Sequence, residues 1–371
     1  MADDRVLVVM GTRPEAVKLL GLVNALGDRA VIAHTGQHYD EQLWGAVRRE
    51  VGLPEAQVRI EVGGSHRGVQ IGTATAALTE VLLATPVQAM IVQGDTNSTL
   101  AGALAANATG TLLVHVEAGL RSDDLSMPEE SNRLLVDRIA DLCCAPAEHN
   151  AERLLAEGVR PDRIVVTGNT LFDALEVLLP PPAQRSAVLE RLGLASEGYV
   201  LATMHRVSNV DDPRRLRAML EGFDALAHRV PVVLPLHPHT RARAEHAGLT
   251  HLFQRLRLLS PLTPTDFLAL EAEAALIVSD SGGVQEEACF LRRPLLVLRD
   301  STERPELLDG WCRLLGDADP APALVQAFAD AEDWRAQLRG RSLPYAEGGA
   351  GARIVAELDS RLCPRRHTTG G

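Results

Sequence analysis

Nineteen residues, His115 to Arg133, hold five carboxylates and two arginines: Glu117, Asp123, Asp124, Glu129 and Glu130, with Arg121 and Arg133 among them. They follow the apolar run Thr111 to Val114, which reads as the end of a buried strand. Open α/β sheets place their ligands past the carboxyl ends of parallel strands. Carboxylates crowded there can push one another's pKa values apart, which is what acid/base chemistry requires. A solvated loop with scattered charges is the plain alternative, so the company this segment keeps has to decide.

Two further segments suggest an anionic ligand. Gly11-Thr-Arg-Pro-Glu follows an apolar run and opens a helix, with Pro14 suited to its first turn. Backbone N–H groups there attract an anion, and Arg13 offers a fork for phosphate. The alternative is an ordinary helix cap with an incidental arginine, and a surface lysine is the default for Lys18 one turn on. In Asp280-Ser-Gly-Gly-Val-Gln-Glu-Glu, Ser281 is placed to cap the next helix, and Gly282 and Gly283 let a phosphate approach the backbone. Glu286 and Glu287 lie one turn later, where a carboxylate can hold a ribose diol.

The loop Arg299-Asp-Ser-Thr-Glu-Arg-Pro-Glu mixes arginines and acids, as a salt-bridged loop does. His205 and His237 sit at strand ends, whereas His228, His246 and His251 read as surface residues. Neither a Gly-x-Gly-x-x-Gly fingerprint nor a P-loop is present, so nicotinamide and ATP chemistry lose support. A Gly-x-Ser-x-Gly elbow is also lacking and no cluster of metal ligands stands out, so neither a serine hydrolase nor a metal site is expected.

The elements that must position these residues are short β-branched runs alternating with longer helical patterns, the sign of parallel sheets covered on both faces. The first half has Arg5 to Met10, Ala30 to His34, Ala89 to Gln93, Thr111 to Val116, Leu142 to Ala145 and Arg163 to Thr167. After Pro180-Pro-Pro the pattern restarts with Tyr199 to Thr203, Pro231 to Pro235, Leu256 to Leu259, Ala274 to Ser279 and Pro294 to Leu298. Nearly every run ends in a polar signature, a coincidence hard to attribute to chance. The fold class is therefore α/β, with two doubly wound, Rossmann-like domains expected to face a central cleft. Residues 1–172 form the first, 173–344 the second, a helix at about 345–362 returns to the first, and 363–371 is a tail.

At 371 residues two domains are the natural expectation. A net charge of −12 argues against a nucleic-acid or anionic-membrane surface, though a few local arginines suffice for a small anion. No apolar stretch reaches the roughly 20 residues that span a bilayer. Five cysteines (Cys143, Cys144, Cys289, Cys312, Cys363) show no metal-ligand spacing and read as core thiols, with the cytoplasm as the simplest compartment.

Taken together, the motifs resemble the non-hydrolysing UDP-N-acetylglucosamine 2-epimerases, which share the two-domain GT-B-like fold of many nucleotide-sugar glycosyltransferases. They are Gly11-Thr-Arg-Pro-Glu-Ala-Val-Lys18, Gln93-Gly-Asp-Thr, His115-Val-Glu-Ala-Gly-Leu-Arg121, Pro128-Glu-Glu-Ser-Asn-Arg133, Gly168-Asn-Thr, His205-Arg, Asp280 to Glu287 and Arg299 to Glu306, in family order along almost the whole chain. The resemblance implies inversion at C2 of a UDP-linked N-acetylhexosamine: the C2 proton is removed and UDP expelled from C1, then both return with opposite configuration. In the α-gluco sugar the C2 hydrogen and C1 oxygen are antiperiplanar, so elimination is direct. The manno product needs its proton on the other face, so two acid/base groups on opposite faces are economical.

By motif match Asp95, Glu117 and Glu129 are the catalytic carboxylates, with Lys18 and Arg133 lining their pocket and His205 near the diphosphate. Arg13, His237, Ser281, Gly282, Gly283, Glu287, Arg121 and Phe267 match substrate or UDP contacts. No cofactor is implied; a homodimer and domain closure over UDP are. Two departures stand out. His205-Arg-Val-Ser208-Asn209 has serine where the family often has glutamate, a change that bears on sugar specificity or catalysis. Gln37-His-Tyr-Asp-Glu-Gln matches the branch with a Tyr-Asp continuation, so activation by a second substrate molecule is not expected. The rivals are a hydrolysing 2-epimerase releasing N-acetylmannosamine and UDP, a glycosyltransferase of the same fold, and a catalytically silent UDP-sugar-binding protein.

Overall fold

Every one of these apolar runs contains a strand, most of them trimmed by one or two residues. The computed structural model describes residues 4–37, 45, 48, 51–260 and 262–362, and arranges its strands in two all-parallel sheets. The first holds β1 (Val6–Met10), β2 (Ala30–His34), β3 (Val58–Arg59), β4 (Ala89–Gln93), β5 (Leu112–Val116), β6 (Leu142–Ala145) and β7 (Ile164–Val166), in the order β3-β2-β1-β4-β5-β6-β7. The second holds β8 (Val200–Thr203), β9 (Val232–Pro235), β10 (Arg257–Leu259), β11 (Leu276–Ser279), β12 (Leu295–Val297) and β13 (Cys312–Leu314), in the order β10-β9-β8-β11-β12-β13.

Strands β1, β4, β6 and β11 are buried at every position, because helices cover both sheet faces. That is why they read as unbroken Val/Ile/Leu/Ala/Cys runs. Sequence missed β3 and β13 for the converse reason. Each sits at a sheet edge, is only two or three residues long, and carries an exposed arginine. Both sheets reverse direction once, between β1 and β4 and between β8 and β11, and the strand ends at such a switch point are where ligands bind.

The chain divides into two units by contact: one runs to Val177 and resumes at Tyr345, the other is Leu178–Pro344. The division falls at Val177 rather than at 172 because the start of the Thr170–Leu178 helix is tied to the returning C-terminal segment. Asp173 accepts hydrogen bonds from Ala350 N (3.0 Å) and Gly351 N (2.7 Å), and Phe172 meets Tyr345 edge-on at 5.3 Å. The final helix, Ala350–Leu362, packs on Leu20–Leu26 so closely that a Cβ on Gly351 would lie 2.7 Å from the backbone of Gly21 and Leu22. A Gly351→Val variant is therefore expected to cost about 3 kcal/mol, because two backbones must separate to admit it. Thermal unfolding of the variant checks this, and an unchanged melting temperature would refute the packing.

Among the described residues no helix is long and apolar enough to cross a membrane. Cys143, Cys144, Cys289 and Cys312 are buried free thiols, and burial pushes Cys143 up to about 12. The segment His38 to Gln42 and the tail 363–371 lie outside the described residues.

Candidate active site

In the first unit the strand ends at the switch point converge on two carboxylates. Glu117 directly follows β5 with φ at +68°, a left-handed value that a non-glycine residue adopts only when its surroundings hold it. Its Oε2 accepts from Lys18 Nζ at 2.6 Å and from the Gln93 amide at the end of β4. Lys18 is thus a nearly buried member of this cluster, not a surface lysine. A side chain on Gly94 would begin 3.9 Å from the same Glu117 oxygen, so Glu117 lies beside the turn that carries Asp95.

Asp95 is held three ways. Its carboxylate takes Arg133, its carbonyl accepts from Asn132 Nδ2 at 2.7 Å, and the preceding Gly94 carbonyl meets His115 Nε2 at 2.9 Å. Asn132 and Arg133 both come from the Pro128–Ile139 helix, whose first turn also exposes Glu129. Anionic side chains are favoured in that first turn. The structure therefore brings Lys18, Asp95, Glu117 and Arg133 together, with Gln93 and Asn132 as members the sequence did not single out.

One reading of this region needs correction. The N–H groups of Gly11 and Thr12 do not await a phosphate: Glu15, from the same helix, takes them at 2.9 and 2.8 Å. Its second oxygen takes Thr96 Oγ1 at 2.8 Å, so Glu15 clamps the first turn to the Asp95 loop. Burial pushes Glu15 above the usual carboxylate range, against the downward pull of its hydrogen bonds. Arg13 itself is half-buried beside this clamp.

Arg121 is held by internal partners. It is buried, with bonds from Nε to Glu157 (3.0 Å), from Nη1 to the Leu120 carbonyl (2.6 Å), and from Nη2 to Asp137 (2.7 Å). Glu130 is a buried structural acid: it accepts from Ser122 N (3.0 Å), Asp123 N (3.1 Å) and Arg133 Nη1 (2.8 Å). Asp123 and Asp124 are exposed, one paired with Arg153 and the other capping Ser126.

In the second unit the polar ends of β8, β9 and β11 carry the remaining residues. Asp280, fully buried past β11, accepts from the backbone N–H of His205 (3.0 Å) and Arg206 (2.8 Å) and from Asn209 Nδ2 (3.0 Å). It also lies 3.1 Å from His205 Nδ1. That partnership raises the His205 pKa against the effect of burial, while His205, Arg206 and Asn209 hold Asp280 low. His237 lies next to His205, with ring centroids 6.5 Å apart, and its own pKa is lowered by desolvation and by His205. Its Nδ1 accepts from His239 N at 3.2 Å, which a neutral ring can do. Ser208 is exposed on the short Val207–Val210 turn, so the departure from the family motif leaves the Asn209–Asp280 bond intact.

The Gly282–Phe290 helix opens at Ser281, but the Ser281 hydroxyl does not cap it. Ser279 Oγ instead accepts from Ser281 N at 3.0 Å, so the side chain read as a cap is not used as one. Behind the turn lies the loop read as salt-bridged. Arg299 meets Glu303 (2.7 Å), and Arg304 meets Glu303 (3.2 Å) and Glu286 (2.9 Å), all of them buried. A Cβ on Gly282 would sit 3.1 Å from both Arg304 and Glu303, so a side chain there would press on this loop. Glu287 is half-buried one turn on, next to Glu271, whose carboxyl is pushed well above its usual range by complete burial and by Glu287. Phe267 is half-buried on the Pro264–Glu273 helix.

Two Rossmann-like domains, one with clustered carboxylates at its switch point and the other with a carboxylate-bound histidine and a glycine-rich helix start, have the layout of a nucleotide-ligand α/β protein. The sequence profile of the family described as UDP-N-acetylglucosamine 2-epimerase matches residues 25–359, and the chain belongs to that family. It is 36% identical over 361 residues to the UDP-N-acetylglucosamine 2-epimerase of Methanocaldococcus jannaschii, covering 95% of this chain and 98% of that protein. It is also 36% identical over 312 residues to the UDP-2,3-diacetamido-2,3-dideoxy-D-glucuronate 2-epimerase of Pseudomonas aeruginosa, covering 82% and 86%. The crystal structure of the M. jannaschii enzyme with UDP-GlcNAc and UDP aligns with a TM-score of 0.84 over 96% of this chain and 99% of that one.

Proposed function

We propose that this chain is a non-hydrolysing 2-epimerase that interconverts UDP-GlcNAc and UDP-ManNAc by eliminating UDP and adding it back with inversion at C2. The observation that carries the reading is Glu117, held in a left-handed conformation by Lys18 and Gln93 beside the Asp95 turn. A backbone kept in that region at a strand end, bearing a carboxylate, is what positioned proton transfer looks like. Asp95, Glu117 and Glu129 form the proton-transfer set, with Lys18 and Arg133 fixing their geometry.

The second unit is assigned the leaving group. His205, made basic by Asp280, donates to the departing diphosphate as negative charge develops on it. The N-terminus of the Gly282–Phe290 helix, with Ser281, Gly282 and Gly283, faces the phosphates. Glu287 accepts from the ribose hydroxyls, His237 and Arg13 contact UDP, and Phe267 offers a ring for the uracil. The buried thiols fit a reducing cytoplasm, and a homodimer completes the reading.

Incubation with UDP-GlcNAc in heavy water is expected to place deuterium at C2 of the recovered sugar pool. Absence of exchange would overturn the proposal. Free UDP growing in step with turnover would point instead to a hydrolysing enzyme.

A further inference from the structure

The charged network under the Asp95 and Glu117 loops has a member the reaction itself does not use. His115 is fully buried on β5, and both ring nitrogens face acceptors. Nε2 lies 2.9 Å from the Gly94 carbonyl, which can only accept, so Nε2 carries a proton. Nδ1 lies 2.6 Å from Asp137 Oδ1. Burial would raise Asp137, but His115 and Arg121 outweigh it and hold the carboxylate below the usual aspartate range. Asp137 Oδ2 then takes Arg121 Nη2 at 2.7 Å and Gly119 N at 3.2 Å, and Glu157 closes the charge balance on Arg121.

The two ends of this buried pair land on two different loops. One bond fixes Gly94, the residue before Asp95; another fixes Gly119, two residues after Glu117. Gly94, Glu117 and Gly119 all have left-handed φ, at +70°, +68° and +84°, so each loop is bent sharply where the pair grips it. Filling a core needs no such device, since apolar residues of similar volume do so at least as well as a buried ion pair.

We infer that His115, oriented by Asp137, is a positioning residue: it fixes the Gly94 peptide and thereby the geometry of Asp95 against Glu117. This rests on the reading that those carboxylates move the C2 proton.

The test separates the two ring nitrogens. In His115→Gln the amide nitrogen falls near Nε2 and keeps the donation to Gly94, whereas in His115→Asn it falls near Nδ1 and keeps only the Asp137 contact. The readouts are C2 deuterium exchange, kcat and KM with UDP-GlcNAc, UDP affinity by calorimetry, and thermal unfolding. The Asn variant is expected to lose roughly a hundredfold in kcat with KM and UDP affinity unchanged, the scale of effect of a misplacement of about 1 Å. The Gln variant is expected to stay within about threefold of wild type, although both lose the imidazole ring and similar stability.

The inference is overturned if the two variants lose kcat equally and in step with melting temperature, or if folded His115→Asn keeps wild-type turnover. Should His115→Asn not fold, Asp137→Asn keeps the shape and removes the charge that orients the ring. A fall in kcat at constant UDP affinity supports the inference there, and unchanged kcat overturns it. A wild-type protein that binds UDP but exchanges no proton is a different result, which removes the active-site reading itself.

Discussion

Glu117→Gln is expected to lower kcat for C2 exchange roughly a hundred- to ten-thousand-fold, the usual worth of a positioned acid/base group. The amide has the same shape and can still accept from Lys18, so the Glu117 turn should keep its place. What disappears is the ability to take or return a proton. UDP affinity should stay within about twofold, because a group used only in the transition state leaves ground-state binding alone. Single-turnover exchange in heavy water, with UDP titration alongside, reads both quantities. Loss of UDP binding in step with kcat would show that Glu117 holds the ligand rather than moving its proton.

The contrast with Glu130 sharpens the expectation. It belongs to the same acid-rich segment, but its oxygens are filled by Ser122, Asp123 and Arg133. Glu130→Gln should act through stability, because one oxygen becomes a donor facing donors. A buried acceptor lost in this way costs on the order of 1–3 kcal/mol. Two carboxylates thirteen positions apart would then separate cleanly, one by turnover and the other by melting temperature.

These two residues also show what sequence conveys and where it stops. The strands were legible because a sheet covered on both faces requires runs such as Val6 to Met10, and the polar residues ending those runs marked the switch points. The division of labour among the acids was not legible. Glu15 and a bound phosphate satisfy the same two N–H groups, and the segment Gly11 to Glu15 looks identical in either case. Arg121 is buried against Asp137 and Glu157, partners that its own motif does not reveal. His115 and Asp137 are 22 positions apart, one on a strand and one on the next helix, so no local spacing pairs them. Asp280 was read as part of a phosphate turn, yet its oxygens serve His205. The parallel register that sets Ser279 beside Thr203 brings the two together.

That last pairing makes a prediction about pH. Asp280 raises the His205 pKa, so His205 keeps its charge to a pH above the ordinary histidine value. If it assists the departing diphosphate as an acid, turnover falls as pH rises through that raised value. Asp280→Asn removes the charge that raises it, so the alkaline limb of kcat should move to lower pH, toward the ordinary histidine value near 6.5. The linkage to stability has the same origin. The His205 contribution is fully present below the ordinary histidine value and is lost as pH rises through the raised one. The Asp280 contribution is present above the ordinary aspartate value and is lost as pH falls through its lowered one. Asp280→Asn should therefore flatten the stability profile at both ends while shifting the activity profile at one. A wild-type alkaline limb that does not move in the variant would assign it to a group other than His205.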